Sequence, residues 1–271
     1  MRGAGDTFRT MANAPHPYFA RTAHPRILAH RGLVTDEMHR DGIAENTIAA
    51  FAAADAAGAA YIESDCRITA DDVVVLCHDD DLSRVAGDPR AVAEMSLAQL
   101  ETVMASRGGL ATLEQALDAF PDARFNIDVK VDEAAERAGR IVGPEAHRVL
   151  LTSFSDPRRR AALRSARNAG GAPATSPGRA TISMLVALTR GPAPAAVIRR
   201  ALRGIDAVQV PENHGRIRVL TPRFIDAVHA AGAEVHVWTV NDPDDMRRLI
   251  DLGVDGIVTD RADLALDVRG D

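Results

Sequence analysis

In a β-strand, residues two apart project to the same side, so Glu63 and Asp65 in the segment IESD offer two carboxylates to one face while Ser64 and Cys66 turn to the other. Burying two acids together is costly unless a cation neutralises them or one keeps its proton. The segment FNIDVK repeats the spacing, with Asp128 and Lys130 on a shared face. Three oxygen ligands, with no His or Cys cluster at zinc spacing, describe a site for a hard cation such as Mg²⁺ or Ca²⁺, completed by water or substrate. Two readings stay open at this point. Either the acids hold a metal while Lys130 takes a phosphate oxygen, or Lys130 and nearby arginines neutralise the acids as buried ion pairs.

His30 closes the apolar run ILAH and His78 closes VVVLCH, so each is expected where a buried strand emerges. A lone histidine there is an ordinary core group. Two beside three acids are suited to delivering and removing a proton near neutral pH, which phosphodiester cleavage requires. Arg31 follows His30 and presents a planar fork that matches two phosphate oxygens. Glu45-Asn46-Thr47 opens a helix, with Asn46 or Thr47 as its cap and Glu45 placed to orient His30 or Arg31. Ser153 and His214 are further candidates at strand ends, and His236 is expected to pack deeper.

These residues need a frame that brings strand ends together. From Ile27 onward, short β-branched runs alternate with Ala/Leu/Arg-rich helical stretches, the pattern of a parallel sheet with crossover helices. Strands are expected near residues 27–30, 61–67, 73–78, 125–130, 149–154, 181–185, 207–211, 234–240 and 256–259. Helices are expected near 47–57, 113–119, 133–142, 157–168, 194–202, 222–231 and 243–252. About eight such units with no break in composition predict a closed α/β (β/α)8 TIM barrel rather than an open sheet, since His30-Arg31-Gly32 is not a Gly-rich phosphate turn. Residues 79–110 are too long for an ordinary loop after the second βα region and read as a small insertion with a helical patch at 96–104. Residues 168–179, NAGGAPATSPGR, read as a flexible connection.

The 271 residues suit one barrel domain over 26–271 behind a partly ordered leader over 1–25, with Met11 as an alternative start. A net charge of −6 argues against a nucleic-acid binder that depends on a broad basic field. The two cysteines, Cys66 and Cys77, suit buried free thiols in a reducing cytoplasm. The N-terminal segment lacks the continuous apolar stretch of a secretory signal, and Ala-rich windows are broken by Asp55 and Gly58, so neither export nor membrane insertion is expected.

Taken together, HRG, ENT, the E-x-D strand, the pair His78-Asp79, the acid-x-Lys strand and the late stretch VWTVND…GVDGIVTD resemble the glycerophosphodiester phosphodiesterase family from about Ile27 to Asp260. The resemblance implies metal-dependent hydrolysis of small-molecule glycerophosphodiesters to sn-glycerol 3-phosphate and an alcohol. It implies metal ligation by Glu63, Asp65 and Asp128, acid and base roles for His30 and His78, phosphate binding by Arg31 and Lys130, and a glycerol pocket walled by Trp238. Three positions depart from the family pattern. Asp128 stands where Glu is usual, retracting the carboxylate by about 1.5 Å; the loop Ala70-Asp71-Asp72 lacks a Gly; and Ala44 replaces a Pro. A lysophospholipase D-like enzyme is the second reading, and it would need an apolar groove at the mouth. A non-catalytic phosphodiester-binding barrel is the third.

Overall fold

The computed structural model describes residues 16–270. Eight parallel strands run β1 (Arg26–His30), β2 (Tyr61–Ile68), β3 (Arg124–Val129), β4 (Val149–Thr152), β5 (Ala174–Thr175), β6 (Ala207–Val210), β7 (Glu234–Val237) and β8 (Gly256–Thr259). Their spatial order is β5-β4-β3-β2-β1-β8-β7-β6, a nearly closed barrel whose remaining seam lies between β5 and β6. There the Asp206 N–H donates to the Thr175 carbonyl at 3.0 Å, and the Thr175 N–H donates to Asp206 Oδ2 at 2.9 Å. One backbone bond and one bond to a side chain thus stand in for a ladder at this seam.

The helices begin where side chains can cap them. Thr47, Thr112, Ser155, Thr221 and Asp242 each accept from a backbone N–H in the first turn that follows, and Pro222 and Pro243 open their helices. Thr47 is therefore the cap, while Asn46 accepts from the Ser64 hydroxyl at 2.7 Å and ties this turn to the back of β2.

Two expected strands are different elements. Residues 181–185 belong to a helix, Arg179–Arg190, and the fifth barrel strand comes instead from the segment read as a flexible connection. Ala174 to Gly178 are buried there because small residues let the chain pass close to its neighbours. The second difference is Val74–Leu76, which is not a barrel strand. It runs antiparallel to the protruding end of β2, pairing Leu76 with Cys66.

Residues 16–25, from the segment read as a leader, cover the base of the barrel. Tyr18 is fully buried and meets Tyr61 edge-on at 5.1 Å; the Tyr61 hydroxyl donates to the Tyr18 carbonyl at 3.0 Å. Above them, Arg26 donates to both oxygens of Glu234, at 2.7 and 2.6 Å, and Glu234 meets the buried His236 at 3.0 Å. The rest of that segment lies outside the described residues. Residues 79–110 form a small lobe with its own core of Leu82, Val92, Met95, Leu100 and Met104 against Val75 and Cys77. Cys66 and Cys77 are buried free thiols.

Candidate active site

The register of the strands decides which side chains meet. His30 on β1 lies level with Glu63 on β2, and Asp65 on β2 lies level with Asp128 on β3. All four point into the barrel at the ends where the strands finish. His78 arrives by a different route from the one expected. It follows the antiparallel return, and the Cys77 N–H donating to the Asp65 carbonyl at 2.9 Å and Arg67 Nε donating to the His78 carbonyl at 3.0 Å hold it beside the floor. The turn after β1 depends on Gly32, whose φ is +88° and whose Cβ, if present, would lie 2.7 Å from the Ala50 backbone. That turn aims Arg31 back across the floor.

The pocket holds about 160 Å³ and takes in His30, His78, Arg31, Lys130 and the three acids Glu63, Asp65 and Asp128, together with Trp238 and with Phe154, whose ring centre lies 5.3 Å from the Lys130 ammonium. Lys130 Nζ bridges Asp65 Oδ1 at 2.7 Å and Asp128 Oδ2 at 2.6 Å. Arg31 donates to Glu45 Oε1 at 2.6 Å, and its Nε lies 3.3 Å from Asp65 Oδ2. Burial alone would raise the Asp65 carboxyl, but Lys130 and Arg31 overcome it and hold the group below its ordinary value. Glu63 is held less closely, by the Arg31 N–H donating to its Oε2 at 3.3 Å and by the more distant charges of His30, Lys130 and Arg31. Burial, reinforced by the Asp65 charge, pushes its carboxyl up to about 8.

Each histidine has a carboxylate behind it. His30 Nδ1 hydrogen-bonds Asp260 Oδ1 at 2.5 Å, and its Nε2 lies 3.9 Å from Glu63. Burial disfavours the imidazolium, yet Asp260 and Glu63 together raise the His30 pKa. His78 Nδ1 hydrogen-bonds Asp79 Oδ1 at 2.7 Å. Arg84, from the lobe, donates to Asp79 at 2.7 Å and to Glu45 at 2.6 Å, so one guanidinium links the partner of His78 to the partner of Arg31.

A sequence model of the glycerophosphoryl diester phosphodiesterase family matches residues 30–264. The chain belongs to this family. A Mycobacterium tuberculosis protein named probable glycerophosphodiester phosphodiesterase 2 is 40% identical over 259 residues, covering 94% of each chain. Human lysophospholipase D GDPD1 is 24% identical, over 86% of this chain and 82% of that protein. The crystal structure of a glycerophosphodiester phosphodiesterase from Agrobacterium tumefaciens superposes with a TM-score of 0.67 at 25% identity, covering 91% of this chain and 99% of that one.

The glycerophosphoryl diester phosphodiesterase family generally depends on a divalent cation, and the floor of this member can be tested for one. Among the described residues, no three His, Cys, Asp or Glu side chains already surround a single point. The donor chemistry nevertheless fits. Asp128 Oδ1 and Asn126 Oδ1 are buried without a hydrogen bond, as is Asp65 Oδ2, which Arg31 approaches without the alignment of one. Oxygen donors left unmatched beside a carboxyl driven toward its neutral form suit a hard cation.

Several residues around this candidate site were not singled out from the sequence. Asp260 was visible only as part of a motif, although β8 neighbours β1 with Thr259 opposite Ala29, which puts the next residue beside His30. Asn241 holds Asp260 in turn, donating at 2.7 Å. Arg84 had no signal, because its reach depends on the lobe's fold. Of the weaker candidates, Ser153 is buried and donates to the Val129 carbonyl at 2.7 Å, a structural role, and His214 is exposed on a surface hairpin. His236 lies deeper, fully buried as expected. The family departures are absorbed locally. The Ala44 N–H donates to the Arg107 carbonyl at 2.8 Å, a bond proline could not make, and Asp72 takes the positive φ of +66° left by the absent glycine.

Proposed function

We propose that this protein hydrolyses glycerophosphodiesters to sn-glycerol 3-phosphate and an alcohol. In this reading His30 and His78 move the protons, Arg31 and Lys130 hold the phosphate, and Glu63, Asp65 and Asp128 hold a divalent cation, Mg²⁺ or Ca²⁺. The observation that carries it is the meeting of two carboxylate-backed imidazoles with three acids, an arginine and a lysine in one pocket. The name of the Mycobacterium tuberculosis relative supports the substrate class.

When bound, the cation would withdraw charge from the phosphate and make phosphorus more electrophilic. The protein's own groups do the rest. Asp260 and Asp79 engage the Nδ1 atoms, which leaves each Nε2 as the atom that exchanges a proton with substrate. One imidazole takes the proton of the glycerol 2-hydroxyl as its oxygen attacks phosphorus. The other protonates the departing alcohol, and water then opens the cyclic phosphate. Glu45 holds Arg31 in place, and Trp238 with Phe154, 6.0 Å apart edge-on, walls the glycerol.

Choline release from glycerophosphocholine tests the assignment. His30→Ala and His78→Ala should each lower turnover by roughly 10²- to 10⁴-fold with unchanged circular dichroism; near-normal turnover in either contradicts its role. A substrate lacking the 2-hydroxyl should not turn over, and its cleavage at the ordinary rate would exclude attack by that group.

A further inference from the structure

Charge is spread unevenly over this barrel. Of the 32 Lys and Arg in the chain ten, all arginines, fall within residues 157–205, and of the 38 Asp and Glu none does. The net charge of −6 conceals this local excess. Two of the ten are neutralised, Arg158 by Asp132 at 2.6 Å and the buried Arg159 by Asp156 at 3.2 Å. The other eight are exposed, and among the described residues none of them forms an ion pair. By contrast, Arg84, Arg90, Arg247 and Arg248 elsewhere on the surface each meet a carboxylate within 2.8 Å.

The eight lie on one flank. Arg160, Arg164 and Arg167 follow helical spacing of four and three residues on Asp156–Asn168 and so share a face. The helix Arg179–Arg190 packs beside it with an arginine at each end, and Ala195–Ala201 packs beside that, bringing Arg199 and Arg200 with Arg203 just beyond. Between the arginines the exposed positions carry no charge: Ala180, Ser183, Met184 and Ala187 on the middle helix, Val197 on the next. Met184 is 44% and Val197 42% exposed, large apolar side chains held in solvent inside a rim of guanidinium groups.

We propose that this flank docks the protein on a bilayer surface rich in anionic phospholipid, with the arginines on lipid phosphates and Met184 and Val197 set between them against the acyl boundary. The guanidinium fork matches two phosphate oxygens, and its long stem lies along apolar surface while the charge stays with the head groups. A cationic, acid-free face with aliphatic side chains at its centre is the composition of an interfacial contact. Other occupants fit less well. A second copy in the common two-fold arrangement would set arginines against arginines. A nucleic acid would match the charge but not Met184 and Val197, and residues 157–205 include no aromatic ring on which a base could stack. The proposal is independent of the phosphodiesterase reading, because it is read by binding and not by turnover.

The test is cosedimentation of the full chain with vesicles of phosphatidylcholine alone and of phosphatidylcholine mixed with phosphatidylglycerol. The wild type should sediment with the mixed vesicles only and be released by salt. In the combined variant Arg164→Ala, Arg167→Ala, Arg200→Ala and Arg203→Ala, each arginine lost should weaken binding roughly fivefold at low salt. Met184→Ser leaves the charge alone and should still weaken binding by several-fold, which a contact through charge only would not show. Arg90→Ala with Arg247→Ala removes two arginines elsewhere and should bind as the wild type does. All the substituted side chains are exposed, and circular dichroism checks that each variant is folded. No sedimentation with the mixed vesicles, equal sedimentation with both kinds, or undiminished binding by the combined variant overturns the proposal. Arginine-dependent binding of duplex DNA, or arginine-dependent self-association, in place of vesicle binding would assign the flank to that other partner and overturn it as well.

Discussion

At the scale of single residues, Glu63 decides how the floor behaves without a cation. Its carboxyl, raised from an ordinary 4.5 to about 8, keeps its proton in the folded protein over a range where the unfolded chain has lost it. The unfolded state therefore binds fewer protons, and stability must fall as pH rises from about 4.5 to about 8. A divalent cation favours the ionised carboxylate and should reverse the trend. Calorimetry in chelator should show Tm dropping across that interval, recovery on adding Mg²⁺ or Ca²⁺, and neither effect in Glu63→Gln. A chelated protein with a flat profile would contradict the environment described for Glu63. These residues were legible in the sequence because strand alternation fixes which acids share a face. Asp260 and Arg84 were not, since their contacts depend on which strands adjoin and how the lobe folds.

At the scale of elements, the base of the barrel depends on the pairing of β1 with β7 residues through Arg26 and Glu234. Burial would raise the Glu234 carboxyl, but hydrogen bonds from Arg26 and His236 bring it from 4.5 down to about 2. A depressed carboxyl contributes stability that is complete above its unfolded pKa and is lost as pH falls from about 4.5 toward about 2. The shift corresponds to about 3 kcal/mol. Glu234→Gln should therefore unfold more readily than the wild type at neutral pH and lose less on acidification, measured by urea denaturation at both pH values; equal losses in the two proteins would contradict the pairing. Element boundaries with polar caps, such as Thr112 ahead of Leu113–Ala119, were readable to within a residue or two. The stretch 181–185 was not, because four apolar or β-branched residues in five fit a short strand and a buried helix turn equally well. A two-residue strand inside a Gly/Pro-rich run carries no periodic signal at all.

At the scale of the whole molecule, the barrel places acids and histidines on one side of the mouth and an aliphatic wall on the other. Ile182, Val186, Ile217 and Val219 build an apolar groove there around Phe154 and Trp238. The misread helix hid it. Among the described residues no helix is long and apolar enough to cross a membrane. Arg84 joins the lobe to the partners of both Arg31 and His78, and Arg84→Ala should lower turnover by loosening Asp79 and Glu45 while the lobe's own core keeps it folded. Unchanged turnover in that variant would make the link decorative.

The most direct measurement is release of sn-glycerol 3-phosphate from glycerophosphocholine and glycerophosphoethanolamine in Mg²⁺, in Ca²⁺ and in chelator, with His78→Ala protein as the blank. The account predicts release that requires a divalent cation and is absent from the blank. Equal release in chelator, or none from folded protein under any condition, would contradict it.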